Sequence, residues 1–136
     1  MTPAEKLALA QRAYAAFSAL NVEAVLPLYH PECEWRMGHV GAAVGTDAYR
    51  GHDGLREWVA ALDEGFESFT VVIDEARITR EGVLLLRGHV DTRSRGTHME
   101  LSMQTWQEIE FREGLAFNLV QFDSPPATWD EATPIA

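Results

Sequence analysis

The chain has 136 residues, 46% of them hydrophobic and 24% charged, with a formal net charge of −10. That length fits one domain spanning residues 1–136 and able to bury a core without metal or disulfide staples. The acidic balance argues against nucleic acid and anionic membrane surfaces, because both are recognised by clustered Lys and Arg. A lone cysteine, Cys33, excludes an intrachain disulfide and fits no CxxC redox or zinc pattern. It is expected to be a small buried hydrophobe. No apolar run approaches a membrane span, and Met1 to Lys6 lack the basic start of a secretory signal, so a cytoplasmic location is expected.

Residues 3–20 read as a helix. Thr2 is a natural cap, Pro3 suits the first helical position, and Leu7, Ala10, Ala13, Tyr14, Phe17 and Leu20 recur on one face. Asn21 caps a second, shorter helix over 22–29, which Pro31 ends. Cys33 to Met37 alternates like a short strand. Residues 38–49 carry three Gly and three Ala with hardly any charge and read as a loop. A third helix opens at His52 or Asp53 and runs to about residue 66, with Leu55, Trp58, Val59, Leu62 and Phe66 inward.

The second half is β-branched and alternating. Strands are expected over 69–79, 83–93, 99–111 and 116–123, joined by turns at Glu81-Gly82, Arg95-Gly96 and Glu113-Gly114. Short glycine-bearing links between alternating runs make antiparallel hairpins. The tail from 127 onward fits one helical turn around Trp129. Helices beside an antiparallel meander make an α+β fold.

Several segments resemble a SnoaL-like member of the nuclear transport factor 2-like superfamily. They are Ala16-Phe17 through Asn21 to Val25, Leu28 to Trp35, Tyr49-Arg50-Gly51-His52-Asp53-Gly54-Leu55, and the hairpin Phe111-Arg112-Glu113-Gly114. The resemblance implies a cone-shaped barrel: three N-terminal helices packed on a strongly bent antiparallel sheet. It implies an internal pocket for a small hydrophobic molecule and often a homodimer through the outer sheet face. The superfamily hosts cyclases, isomerases, dehydratases, epoxide hydrolases and non-catalytic binders, so function is argued from the site.

Period 2 sorts each strand into two faces without saying which is interior. The resemblance implies that His89, Asp91, Gln107 and Gln121 point inward, with Met103, Thr105, Ile109 and Leu119 as apolar lining. Tyr14, Trp35, Met37, Trp58 and Leu62 then complete the wall. The opposite face, with Leu86, Val90, Trp106, Val120 and Phe122, needs a cover that a second copy would supply.

His89 and Asp91 put an imidazole and a carboxylate on one strand face, and an apolar pocket raises a carboxylate's pKa toward that of a general base. Asp91 is then the candidate base, His89 its partner or the acid, and Gln107 and Gln121 position substrate. The same pair also reads as a structural or solvated one, which leaves a non-catalytic binder open. The pattern is similar to limonene epoxide hydrolase, where Asp91 matches the first carboxylate, His89 replaces an arginine and Gln121 replaces the second aspartate. Against ketosteroid isomerase, Met37 stands at the base position and Gln107 at the acidic oxyanion-hole position. His30, His39, His52 and His98 show no metal-ligand spacing, and no metal or cofactor is expected.

Overall fold

The structure is a computed structural model and describes residues 1–36 and 48–135. Helix α1 spans Pro3–Ser18. The Thr2 hydroxyl accepts from the Glu5 N–H while the Glu5 carboxylate accepts from the Thr2 N–H, a reciprocal cap that fixes where the helix starts. Leu20 then takes a left-handed φ of 53° and turns the chain, so the helix stops short of residue 20. Helix α2, Val22–Val25, is capped by Asn21 and tightens into a 3-10 turn at Leu26–Leu28. It is shorter than expected because Pro27 has no N–H to continue an α-helix.

Strand β1 therefore begins early, at Tyr29, and runs to Arg36; β2 is Ala48–Arg50. Pro31 falls where the β1 register slips, between Tyr29 and Glu34, a place where a missing ladder donor is tolerated. Most of the expected 38–49 loop lies outside the described residues, and its last two positions belong to β2. Helix α3 spans Gly51–Gly65 and buries Leu55, Trp58, Val59 and Leu62. Then come β3 (Phe66–Ile78), β4 (Leu84–Ser94), β5 (Glu100–Arg112), β6 (Leu115–Phe122) and a short β7 (Thr133–Pro134).

These strands form one curved, unclosed sheet in the order β2-β1-β6-β5-β4-β3-β7. β3 to β6 are the expected antiparallel meander. β1 joins it parallel to β6, which makes the sheet mixed. The helices close over its concave face. The main core there joins Tyr14 and Phe17 of α1 and Leu55 and Leu62 of α3 to Leu84, Leu86, Ile109 and Leu119 of the sheet. Each such aliphatic side chain contributes about 1.5–3 kcal/mol on burial.

The outer face has its own smaller core. Leu85 and Trp106 pack with Trp129 and Ala132 of the C-terminal tail, and Val83 and Phe122 lie against them. The Arg77 guanidinium stacks 4.2 Å over the Trp129 ring and donates to the Trp129 carbonyl at 2.8 Å. Part of the cover expected from a second copy thus comes from the chain itself, and Trp106 is buried. Among the described residues, no helix is long and apolar enough to cross a membrane.

Candidate ligand-binding site

A cavity of about 150 Å³ lies between the concave sheet face and the helices. Its helical wall comes from the buried stripes of α1 and α3: Tyr14, Phe17, Trp58 and Leu62. Trp35 of β1 bridges them, its ring 5.0 Å from Phe17 and 5.8 Å from Trp58. The sheet wall is built by inner-face residues of three adjacent strands: Phe69 and Val71 of β3, Val90, Thr92 and Ser94 of β4, and Leu101, Met103, Thr105 and Gln107 of β5. Gln121 joins from β6, directly across from Gln107.

The floor of the cavity is polar. The Tyr14 hydroxyl donates to Gln107 Oε1. Tyr14, Gln107 and Gln121 are only 6%, 6% and 8% exposed. Burial pushes the Tyr14 phenol far above its ordinary pKa, so it stays a protonated donor at any ordinary pH. No side-chain hydrogen bond ties Gln121 to another described residue. Its amide keeps some open surface, which faces the cavity. Trp35 also lines the cavity, and its indole N–H has no partner among the described residues.

His89 and Asp91 lie elsewhere, and here the structure corrects the expected placement. Val90 stands across from Met103, and Leu86 from Gln107. Cross-strand partners share a face, so Leu86 and Val90 are inward and the intervening His89 and Asp91 are outward. On the outer face His89 Nδ1 lies 2.8 Å from Asp74 Oδ2 and Nε2 lies 3.6 Å from Asp91 Oδ2, all three side chains being partly exposed. Leu119, expected on the wall, is packed in the core opposite Ile109 and Trp35. Met37 and His39 lie outside the described residues. Tyr14, Trp35, Trp58, Met103, Gln107 and Gln121 do meet around one cavity.

Val90, Thr92, Phe69, Val71, Met99 and Leu101 were not foreseen as lining. The signal for them was the hairpin: counting back from the Arg95-Gly96 turn puts Val90 opposite Met103. Among the described residues the cavity lining contains no carboxylate and no imidazole. Among them, too, no three His, Cys, Asp or Glu side chains converge as a metal site requires. What the arrangement offers is an apolar enclosure with paired amides and a phenol at one end.

Comparison with known proteins agrees with the architecture. A family model described as a SnoaL-like domain matches residues 10–118. Among solved structures, TerC crystallised with polyporic acid superposes with a TM-score of 0.75 at 18% identity, covering 87% of this chain and 90% of that one. An NTF2-like protein of unknown function from Burkholderia pseudomallei K96243 gives 0.76 at 15% identity, over 90% and 91% of the two chains. A putative SnoaL-like polyketide cyclase from Shewanella denitrificans OS-217 gives 0.71 at 14% identity, over 89% and 90%. At these identities the likeness concerns the fold. No curated protein sequence matches the chain. The match across most of its length, on a bent sheet capped by three helices, makes the chain a member of the SnoaL-like domain family.

Proposed function

We propose that this protein binds a small, largely apolar molecule in the cavity, holding it by burial and by hydrogen bonds from the Gln107–Gln121 floor. The observation that carries this reading is an open space of about 150 Å³ whose walls are almost wholly apolar and whose one end is polar. An apolar cavity of about that size in another protein holds a benzene-sized guest. Binding sites of this kind pair an apolar lining with a few placed polar groups. That TerC was crystallised with polyporic acid is in keeping with a small-molecule role for this fold.

Acid/base catalysis by His89 and Asp91 loses its support, because both side chains stand on the far side of the sheet from the cavity. The reading is therefore of a binder, with Tyr14 orienting Gln107 rather than transferring a proton. The test is titration with 1-naphthol, a neutral ring with one hydroxyl. Trp35 and Trp58 line the cavity, so binding should quench their fluorescence saturably. It should also raise the melting temperature with ligand concentration, as mass action on the folded state requires. Linear, unsaturable quenching with no thermal shift would sink the proposal.

A further inference from the structure

Exposure falls steadily along the inner face of β5. Met99, just before the strand, is 65% exposed and Leu101 is 52% exposed. Met103 is half-buried, Thr105 is 5% exposed and Gln107 is 6% exposed. All five line the same cavity. At about 3.4 Å per residue, Leu101 and Gln107 are about 20 Å apart along the strand. The cavity is thus a tunnel parallel to β5, with its mouth at the β4–β5 hairpin and its floor at Gln107, Gln121 and Tyr14. The hairpin is anchored at that mouth, because Arg95 donates to the Asp63 carbonyl at 2.7 Å and its N–H to the Gly65 carbonyl at 3.1 Å.

The floor is polar and deeply buried, while the large side chains at the mouth are the exposed apolar Met99 and Leu101, flanked by Thr92 and Ser94. No charged side chain among the described residues lines the tunnel, so a charged group at the floor would lose its hydration without a counter-charge. Gln107 spends its carbonyl on the Tyr14 hydroxyl, which leaves its NH2 and the whole Gln121 amide for a ligand. Paired amides of this kind satisfy a group that both donates and accepts, such as a hydroxyl.

Resting on the binding role above, we propose that the ligand class is an elongated neutral amphiphile. It enters polar end first, sets a hydroxyl or similar group on Gln107 and Gln121, and leaves its apolar end against Met99 and Leu101 at the rim. The rim pair then determines specificity for ligand length, and the uncharged floor determines specificity for head group.

The experiment is tryptophan-fluorescence titration, from ethanol stocks, with 1-hexanol, 1-decanol and 1-hexadecanol, and with hexadecanoate and hexadecylammonium as charged counterparts. Affinity should rise about fourfold per added methylene, the worth of one buried CH2. The Met99→Ser/Leu101→Ser double variant keeps its fold because both sites are exposed. It should lose about tenfold in affinity for 1-hexadecanol, whose extended chain is long enough to run from Gln107 to Leu101, and leave 1-hexanol unchanged. Hexadecanoate binding as tightly as 1-hexadecanol would overturn the orientation, since its carboxylate must then lie at the mouth. A rim variant that weakens both alcohols alike, or neither, would overturn the role of the rim. If 1-naphthol binds and no alkanol does, the elongated class is wrong while the binding role stands. If neither binds, both fall.

Discussion

Tyr14 and Gln107 lie 93 residues apart in the chain, yet the Tyr14 hydroxyl donates to Gln107 Oε1 at the floor of the tunnel. One partner sits on the first helix and the other on a central strand, so this bond ties the helical layer to the sheet at the deepest point of the cavity. Tyr14→Phe keeps the ring and its packing but leaves the buried Gln107 carbonyl without its donor. We expect a loss of about 1–2 kcal/mol in urea unfolding with an unchanged m-value. A larger m-value change would mean that the floor also holds the fold in register.

Gln121 makes the opposite case, since no group among the described residues satisfies its side-chain amide. Gln121→Leu removes a buried polar group that no described residue compensates. The variant should be as stable as the wild type or slightly more so. It should also lose about tenfold in affinity for 1-naphthol while binding naphthalene equally well, because only the hydroxyl loses a partner. Equal losses for both ligands would assign Gln121 to shape rather than hydrogen bonding.

His89 titrates in a defined way on the outer face. Its pKa is raised above the ordinary 6.5 first by the hydrogen bond to Asp74, with the charges of Asp74 and Asp91 adding and partial burial opposing. A raised folded-state pKa means that the stabilisation is fully present below the unfolded value and is lost as pH rises through the folded value. The stability gap between wild type and Asp74→Asn should therefore be wider at about pH 6 than at about pH 9, between the carboxylate and lysine ranges. In an NMR titration, Asp74→Asn should return His89 toward its ordinary value, and Asp91→Asn should move it less. A gap that does not change with pH would show that protonation of His89 beside Asp74 adds nothing to stability.

Much of the frame was readable from local chemistry. Thr2, Pro3 and Glu5 place the start of α1. Gly82, Gly96 and Gly114, all at positive φ, mark the three hairpins of the meander. Helical and strand spacing put Tyr14, Trp35 and Trp58 on buried faces, and the family resemblance made them an expected cavity wall. The inward face of β4 did not, for two physical reasons. Leu84, Leu85 and Leu86 are a continuous apolar run, nearly fully buried because the tail covers one side and the helices the other, so the strand carries no alternation at its start. On β3 a register shift between Ile73 and Glu75 moves the phase by one residue. Turn counting across the hairpin sets the phase where side-chain polarity misleads. The tail's role was hidden as well, since Trp129 finds Trp106 and Leu85 only in three dimensions.

The tail is testable by removing its anchor. Trp129 is 7% exposed and holds both the apolar cluster and the Arg77 stack. Trp129→Ala should cost about 3 kcal/mol, the scale for a buried aromatic, and should expose Trp106. Tryptophan fluorescence should shift to longer wavelength, and amide exchange should rise in β7, which pairs with β3 at Arg77 and Ile78. The cavity lies on the opposite face, so affinity for 1-naphthol in the folded variant should stay within about twofold.

Gly88 lets strands β3 and β4 approach closely on the wall of the cavity. It lies on β4 opposite Ile73, beside the β3 register shift, and opposite Thr105 of the tunnel wall. A Cβ built on Gly88 would lie 2.1 Å from the Val72 carbonyl oxygen, which is backbone and has little freedom to retreat. Gly88→Ala should therefore cost about 3 kcal/mol, the upper part of the range for overpacking, and should reduce 1-naphthol binding in whatever fraction remains folded. Gly65, at the end of α3, is the matched control, with nothing within 4 Å of an added Cβ. Gly65→Ala should be neutral or gain up to about 1 kcal/mol from helix propensity. If both variants unfold at the wild-type urea concentration, β3 and β4 can separate at this point without penalty.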